Sequence, residues 1–139
     1  MTVISSSISI STQGNADIID ITEQINMTLS ESGLSDGIVT IFSPSSTSGL
    51  TTIEYETGCL RDLKRYFDQV APSEQSYTHN ARWGDGNGHS HLRAAILKAS
   101  LTIPFINQRM TLGTWQQVIF VDFDNRSRKR KIVVQIIGE

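Results

Sequence analysis

Hydrophobic positions along this 139-residue chain recur with two different periods, and the change from one to the other lays out the elements. Between residues 2 and 11, Ile8 and Ile10 alternate with Ser7, Ser9 and Ser11, the period-two pattern of a strand with one wet face. Gln13-Gly14-Asn15 then turns the chain toward a second short strand at 17–21. Here the period lengthens. Ile21, Ile25 and Leu29 form the apolar stripe of a helix capped by Asp20 or Thr22, with Glu23 placed as in a capping box. Gly33 is expected to end that helix in a left-handed conformation. The continuous apolar run from Gly37 to Ser43 predicts a central strand, and after the hydroxyl-rich segment 44–49 a strand resumes over Leu50 to Tyr55. From Gly58, the residues Leu60, Leu63, Phe67 and Val70 mark a second amphipathic helix closed by Pro72, and Leu92, Ala95, Ile96 and Ala99 mark a short third one. Leu101 to Phe105 is a strand that Pro104 assigns to an edge or a strand end. Val118 to Phe123, a hairpin at Asp124-Asn125-Arg126 and a final strand over Lys131 to Ile137 complete the chain. The pattern predicts one α+β domain over residues 1–139, mainly antiparallel, with about three helices laid on sheet.

Charge and cysteine content remove several function classes. A net charge of −2 argues against a general polyanion binder, so no nucleic-acid partner is expected. The one basic run, Arg126 to Lys131, reads as a solvated hairpin. No apolar run approaches the roughly 18 residues of a membrane span, and the N-terminus lacks the basic and apolar regions of a secretion signal. A cytoplasmic protein with no membrane partner is expected. The single cysteine, Cys59, excludes an intrachain disulfide. It follows Gly58 at a helix start, where the dipole would favour a thiolate, although burial as a small hydrophobe is the expected fate.

The candidate chemistry concentrates between His79 and Leu92. All three histidines, 79, 89 and 91, fall in this stretch, together with Asp85, Asn87, Arg82, Trp83 and glycines at 84, 86 and 88. The glycines predict a loop whose backbone can approach a ligand closely. Three readings compete for it. His79, His89 and His91 could hold a transition metal; glycine-flanked N–H groups with Arg82 could receive a phosphate; or the stretch is a structured turn. A helix starting near His89 or Ser90 would aim its dipole at this loop and favour an anion.

Three segments carry a resemblance. Ser46-Thr47-Ser48-Gly49-Leu50-Thr51-Thr52-Ile53-Glu54, the run Gly84 to Leu92, and Gly113-Thr114-Trp115-Gln116-Gln117 resemble the YjbQ-like family in its order and spacing, over essentially the whole chain. The resemblance implies a compact α+β protein with a β-sandwich-like core, a homotrimer, and an activity of the secondary thiamine-phosphate synthase kind. By position it places a polar site on Glu54, His79, Asn87, His89, His91 and the turn Gly113, Thr114, Trp115, Gln116. Many relatives carry a histidine where this chain has Ser45, so one possible nitrogen ligand is missing here.

Function hypotheses follow in three classes. A transferase joining a pyrimidine diphosphate to a thiazole phosphate would set Ser46, Thr47, Arg82, Asn87 and Arg109 on phosphate groups and Trp83 or Trp115 against a ring. Trp115 on a strand is nonetheless expected more often in a core than as a ligand wall. A metal-assisted hydrolase or lyase, acting on a small phosphorylated or carboxylated molecule, would hold zinc or a similar divalent ion on His79, His89 and His91, with Glu54 as base. A non-catalytic trimer binding metal or ligand is the third.

Overall fold

The computed structural model describes residues 1–139. Its elements run β1 (Thr2–Thr12), β2 (Asp17–Asp20), α1 (Thr22–Ser32), β3 (Gly37–Phe42), β4 (Ser48–Ile53), α2 (Thr57–Val70), α3 (Thr78–Trp83), α4 (Gly88–Leu97), β5 (Ser100–Ile106), β6 (Arg109–Met110), β7 (Gln117–Asp122) and β8 (Arg128–Gly138). The strands form two sheets, ordered β1-β8-β3-β5-β6 and β2-β7-β4, and every pairing is antiparallel. The α+β class and the antiparallel sandwich-like core are therefore as expected.

Alternation along β7 and β8 explains how the layers stack. Val118 and Phe120 of β7 face Ile132, Val134 and Ile136 of β8, and with Ile8, Val39, Ile41, Leu50, Ile103 and Phe105 they form the core between the sheets. Ile21, Ile25 and Leu29 of α1 close that core on one side. The opposite parity of β7, Ile119 and Val121, continues through Phe123 and packs with Phe67 of α2 and Ala94 of α4 in a second core. The three-stranded sheet is thus buried on both faces, which is why residues 118–123 read as an unbroken apolar run.

Several local expectations need correction. The stretch 79–92 is mostly helical: His79 lies on α3, His89 and His91 lie on α4, and only residues 84–87 form a loop. The third helix therefore begins at Gly88, four residues before its first apolar position, and four helices are present instead of three. Gly88 is required by contact, because a Cβ there would lie 2.6 Å from Cβ of Tyr77. Asp20 satisfies Thr22 through its carboxylate, 3.0 Å from the Thr22 N–H, but the cap position itself is Ile21. Gly33 does end α1 with φ of 73°. Pro104 sits in a strand paired on both sides: β5 lies between β3 and the two-residue β6.

The basic run is the largest departure. Arg128 and Arg130 share the inward parity of β8 with Ile132, so they extend the core face instead of the solvated one. There they meet Asp122 and Asp124, which continue the inward parity of β7 and are both almost fully buried. Arg130 Nε donates to Asp122 at 2.7 Å and Arg128 Nε to Asp124 at 2.8 Å, while Thr12 Oγ1 donates to Asp122 at 2.6 Å. The apolar sandwich ends in an ionic layer. Removing one partner of such a pair leaves an uncompensated buried charge, at a cost of about 3–5 kcal/mol. Arg130→Met is expected to lose about that much in urea unfolding, whereas Lys129→Met, on the exposed parity, is expected to stay within about 0.5 kcal/mol.

Candidate functional site

Two walls of a cavity are built on this ionic layer. The first is the β3–β4 loop. Arg130 donates to Ser45 Oγ at 2.9 Å and to Thr47 Oγ1 at 2.8 Å, and the Phe123 N–H donates to the Thr47 carbonyl at 2.9 Å. The second is the start of α4. Asn87 is buried with its carboxamide 3.3 Å from Asp124, and Ser90 Oγ donates to the Phe123 carbonyl at 2.5 Å. The segment Asp122–Asp124 therefore ties both walls to one place. Arg93 adds a brace, donating to the Ala71 carbonyl at 2.9 Å and to Asp68 at 3.1 Å, which fastens α4 to the end of α2.

Between the walls lies a cavity of about 360 Å³ lined by Ser45, Ser46, Ser48, His91 and, along α4 and just past it, Ala94, Ala95, Lys98 and Ala99. His91 lines the cavity with Ser46 of the first wall, whose backbone favours the protonated ring. On its other side stands His79, with ring centroids 4.4 Å apart, and His79 Nδ1 is 3.7 Å from an Asp85 carboxylate oxygen. Burial and then the neighbouring His79 hold the His91 pKa below the ordinary histidine value, against the opposing pull of Asp85 and Asp124. The two imidazoles stand side by side, His91 at the cavity and His79 behind it.

His89 is not part of that pair. Residues i and i+2 of a helix point about 200° apart, so His89 and His91 leave α4 in opposing directions. His89 is buried beside Tyr77 and Ser90, its Nδ1 has no hydrogen-bond partner, and burial followed by the charge of Arg93 lowers its pKa. The three-histidine set expected from the sequence is thus divided. The group that geometry brings together is His79, His91 and Asp85.

Other expected site residues lie elsewhere. β4 starts at the cavity with Ser48 and ends at Ile53; five strand steps, about 17 Å, separate the two ends. Glu54 is past the far end, among Asp20, Tyr55, Glu56, Thr114 and Trp115, so it cannot serve as base for these histidines within the chain. Gln116 also lies at that end, accepting from the Gly113 N–H at 3.0 Å and donating to Thr52 Oγ1 at 3.0 Å. Trp115 is 72% exposed, neither core nor cavity wall. Cys59 is half-buried and lies 3.7 Å from Glu54; burial, then the hydrogen bond to Glu56 and the charges of Glu54 and Glu56, raise its pKa, so the carboxylates override the helix dipole. Arg109 borders a separate polar groove with Thr22, Glu23 and Gln108. Arg82 stacks 5.3 Å over the exposed ring of Trp83. Sequence reading overlooked Lys98, Asp122, Asp124, Arg128 and Arg130. For the last four a signal existed: acids at 122 and 124 and arginines at 128 and 130 keep the parity of buried neighbours on both strands.

Depressed histidine pKa values tie stability to pH with a definite sign. Above about pH 6.5 His89 and His91 are neutral in both states; on acidification the unfolded chain takes up protons first, so stability is lost as pH falls through the ordinary histidine range. Melting temperatures are expected to fall from pH 8 to pH 5.5, and the slope is expected to flatten in His89→Gln. An unchanged slope in that variant would assign the loss to other groups.

The chain has clear relatives. The family model described as "UPF0047 protein YjbQ-like" matches residues 6–139. A UPF0047 protein of Methanothermobacter thermautotrophicus is 38% identical over 139 residues, covering 100% of this chain and 95% of the relative. One of Bacillus subtilis is 32% identical over 130 residues, covering 93% and 96%. Among solved structures, a YbjQ-like protein of Sulfolobus solfataricus superposes with a TM-score of 0.94 at 32% identity and covers 99% of each chain. A hypothetical protein of Aeropyrum pernix does so with 0.91 at 27% identity, covering 98% of this chain and 99% of its own. With the whole fold and nearly the whole sequence matched, the chain belongs to the YjbQ-like family of UPF0047 proteins.

Proposed function

We propose that this protein binds a small phosphorylated molecule in the cavity between the Ser45–Ser48 loop and α4, and that the His79–His91 pair moves a proton there. The carrying observation is the lining: one lysine, one histidine, three serines and three alanines, with no carboxylate among them. Hydroxyls and cations serve phosphate oxygens, and alanines allow close approach. A volume of about 360 Å³ suits one small ligand. The secondary thiamine-phosphate synthase reaction handles ligands of this chemistry, and Lys98 and protonated His91 would receive the charge that develops on a departing diphosphate. Ser46 belongs to this reading directly. Thr47 and Asn87, both buried, support it from behind the wall.

A second reading has its own observation. His79 Nδ1 is buried without a hydrogen-bond partner, 3.7 Å from Asp85, and His91 stands beside it, so rotation of these side chains would let two imidazoles and a carboxylate reach a divalent ion such as zinc, although their ligand atoms do not all lie within 4.8 Å of one another as placed. The two readings respond oppositely to pH. Protons compete with a metal for imidazole nitrogen, whereas a protonated imidazole attracts an anion. Sulfate, a dianion at both pH 5.5 and pH 8, serves as probe alongside zinc. Calorimetry is expected to find sulfate bound more tightly at pH 5.5, with the pH effect lost in His91→Ala. Zinc binding at pH 8 that vanishes at pH 5.5, without sulfate binding at either, would replace the anion reading by the metal one.

We further propose a homotrimer, the assembly the resemblance implies. Both sheets have free edges, and Trp83 and Trp115 are largely exposed; neighbouring copies would cover such surfaces. Multi-angle light scattering at micromolar concentration is expected to give three times the 15.4 kDa chain mass. A monomer mass across a dilution series would end this proposal.

A further inference from the structure

We infer that Lys98, held in a strained backbone, is the cation that the cavity presents to the phosphate of a phosphate-bearing ligand. This rests on the anion reading above and goes beyond it by naming the residue that sets charge selectivity.

Lys98 ends α4 with φ of 87° and ψ of 160°. That region is essentially reserved for glycine, and a residue with a side chain occupies it only where its surroundings over-determine the conformation. Here they do so through three backbone hydrogen bonds. The Lys98 N–H donates to the Ala94 carbonyl at 3.0 Å, the Lys98 carbonyl accepts from the Leu50 N–H at 3.0 Å, and the next carbonyl, of Ala99, accepts from the Ser43 N–H at 2.8 Å. The contact is close enough that a Cβ on Gly49 would come within 2.8 Å of the Lys98 carbonyl oxygen. Helix end, β4 and the end of β3 thus meet at one residue, and the local geometry calls for glycine. Lysine stands there instead. Its ammonium enters none of the six ion pairs of the molecule, and Lys98 lines the cavity that also contains His91 and three serines.

The test separates strain from charge. Lys98→Gly relieves the backbone and removes the ammonium; Lys98→Met keeps a long side chain on the strained backbone and removes the ammonium; Lys98→Arg keeps a cation. Lys98→Gly is expected to melt about 5 °C higher than the wild type, while the other two variants melt close to it. In calorimetry with sulfate at pH 8, Lys98→Gly and Lys98→Met are each expected to bind roughly tenfold more weakly, and Lys98→Arg within about threefold of the wild type. Wild-type affinity for sulfate in both Lys98→Gly and Lys98→Met would overturn the inference and leave the anion reading intact. Absence of sulfate binding by the wild type at both pH 5.5 and pH 8 would overturn the two together. A loss of binding accompanied by a lower melting temperature in Lys98→Gly would show a structural role and also overturn it.

Discussion

The buried contact between Asp122–Asp124 and Arg128–Arg130 is the constraint from which the site is built. Two strands from different sheets bring their inward faces together, and the apolar layers run out just where the chain crosses from β7 to β8, a connection between sheets instead of the hairpin expected at 124–126. An apolar end there would leave the β3–β4 loop and the start of α4 tied to β7 only through the Phe123 backbone. The ionic layer offers several directional bonds. Each carboxylate accepts more than one donor, and Arg130 reaches past its partner to Ser45 and Thr47. Buried ion pairs are poor sources of net stability, because desolvation cancels much of the attraction. Their effect here lies in position: loop and helix are both referenced to the same two carboxylates.

Much of this architecture can be read in the sequence, and the exceptions have physical causes. Long periodic segments announce themselves: the serine–isoleucine alternation of β1, the stripe of α1, the apolar run of β7 buried on both faces. Residues 79–92 mislead because Gly84, Gly86 and Gly88 suggest continuous loop, whereas Gly88 serves close packing against Tyr77 and lies inside a helix. That one change of state decides the fate of the histidines. In a loop, His89 and His91 could turn to the same ion; on a helix they cannot. Arg128 and Arg130 were obscured by Lys129 and Lys131 beside them, since a run of like charge reads as solvated unless its alternation is checked against the neighbouring strand. Lys98 had no sequence signal, because its positive φ depends on two long-range backbone bonds, from Leu50 to Lys98 and from Ser43 to Ala99.

Separation along β4 bears on the motif residues in the same way. Thr51 to Glu54 follow Ser48 directly in sequence, and strand geometry carries them away from the cavity at about 3.3 Å per step. Proximity in sequence thus means distance in space for this element, while Ser46 and His91, 45 positions apart, line the same cavity.

The charge layout explains how a chain of net charge −2 keeps an electropositive cavity. Asp122 and Asp124 lie behind the walls, but Arg130 and Arg128 neutralise them at hydrogen-bond distance. A closely paired, buried charge acts more weakly beyond its partner, and Asp124 accordingly pulls on His91 less than Asp85 does. Asp85, 3.7 Å from His79 Nδ1, is the carboxylate nearest the two imidazoles, and its pull on His91 opposes burial and the neighbouring ring without overcoming them. The sign of this site is therefore set less by how many acids surround it than by which of them are already paired.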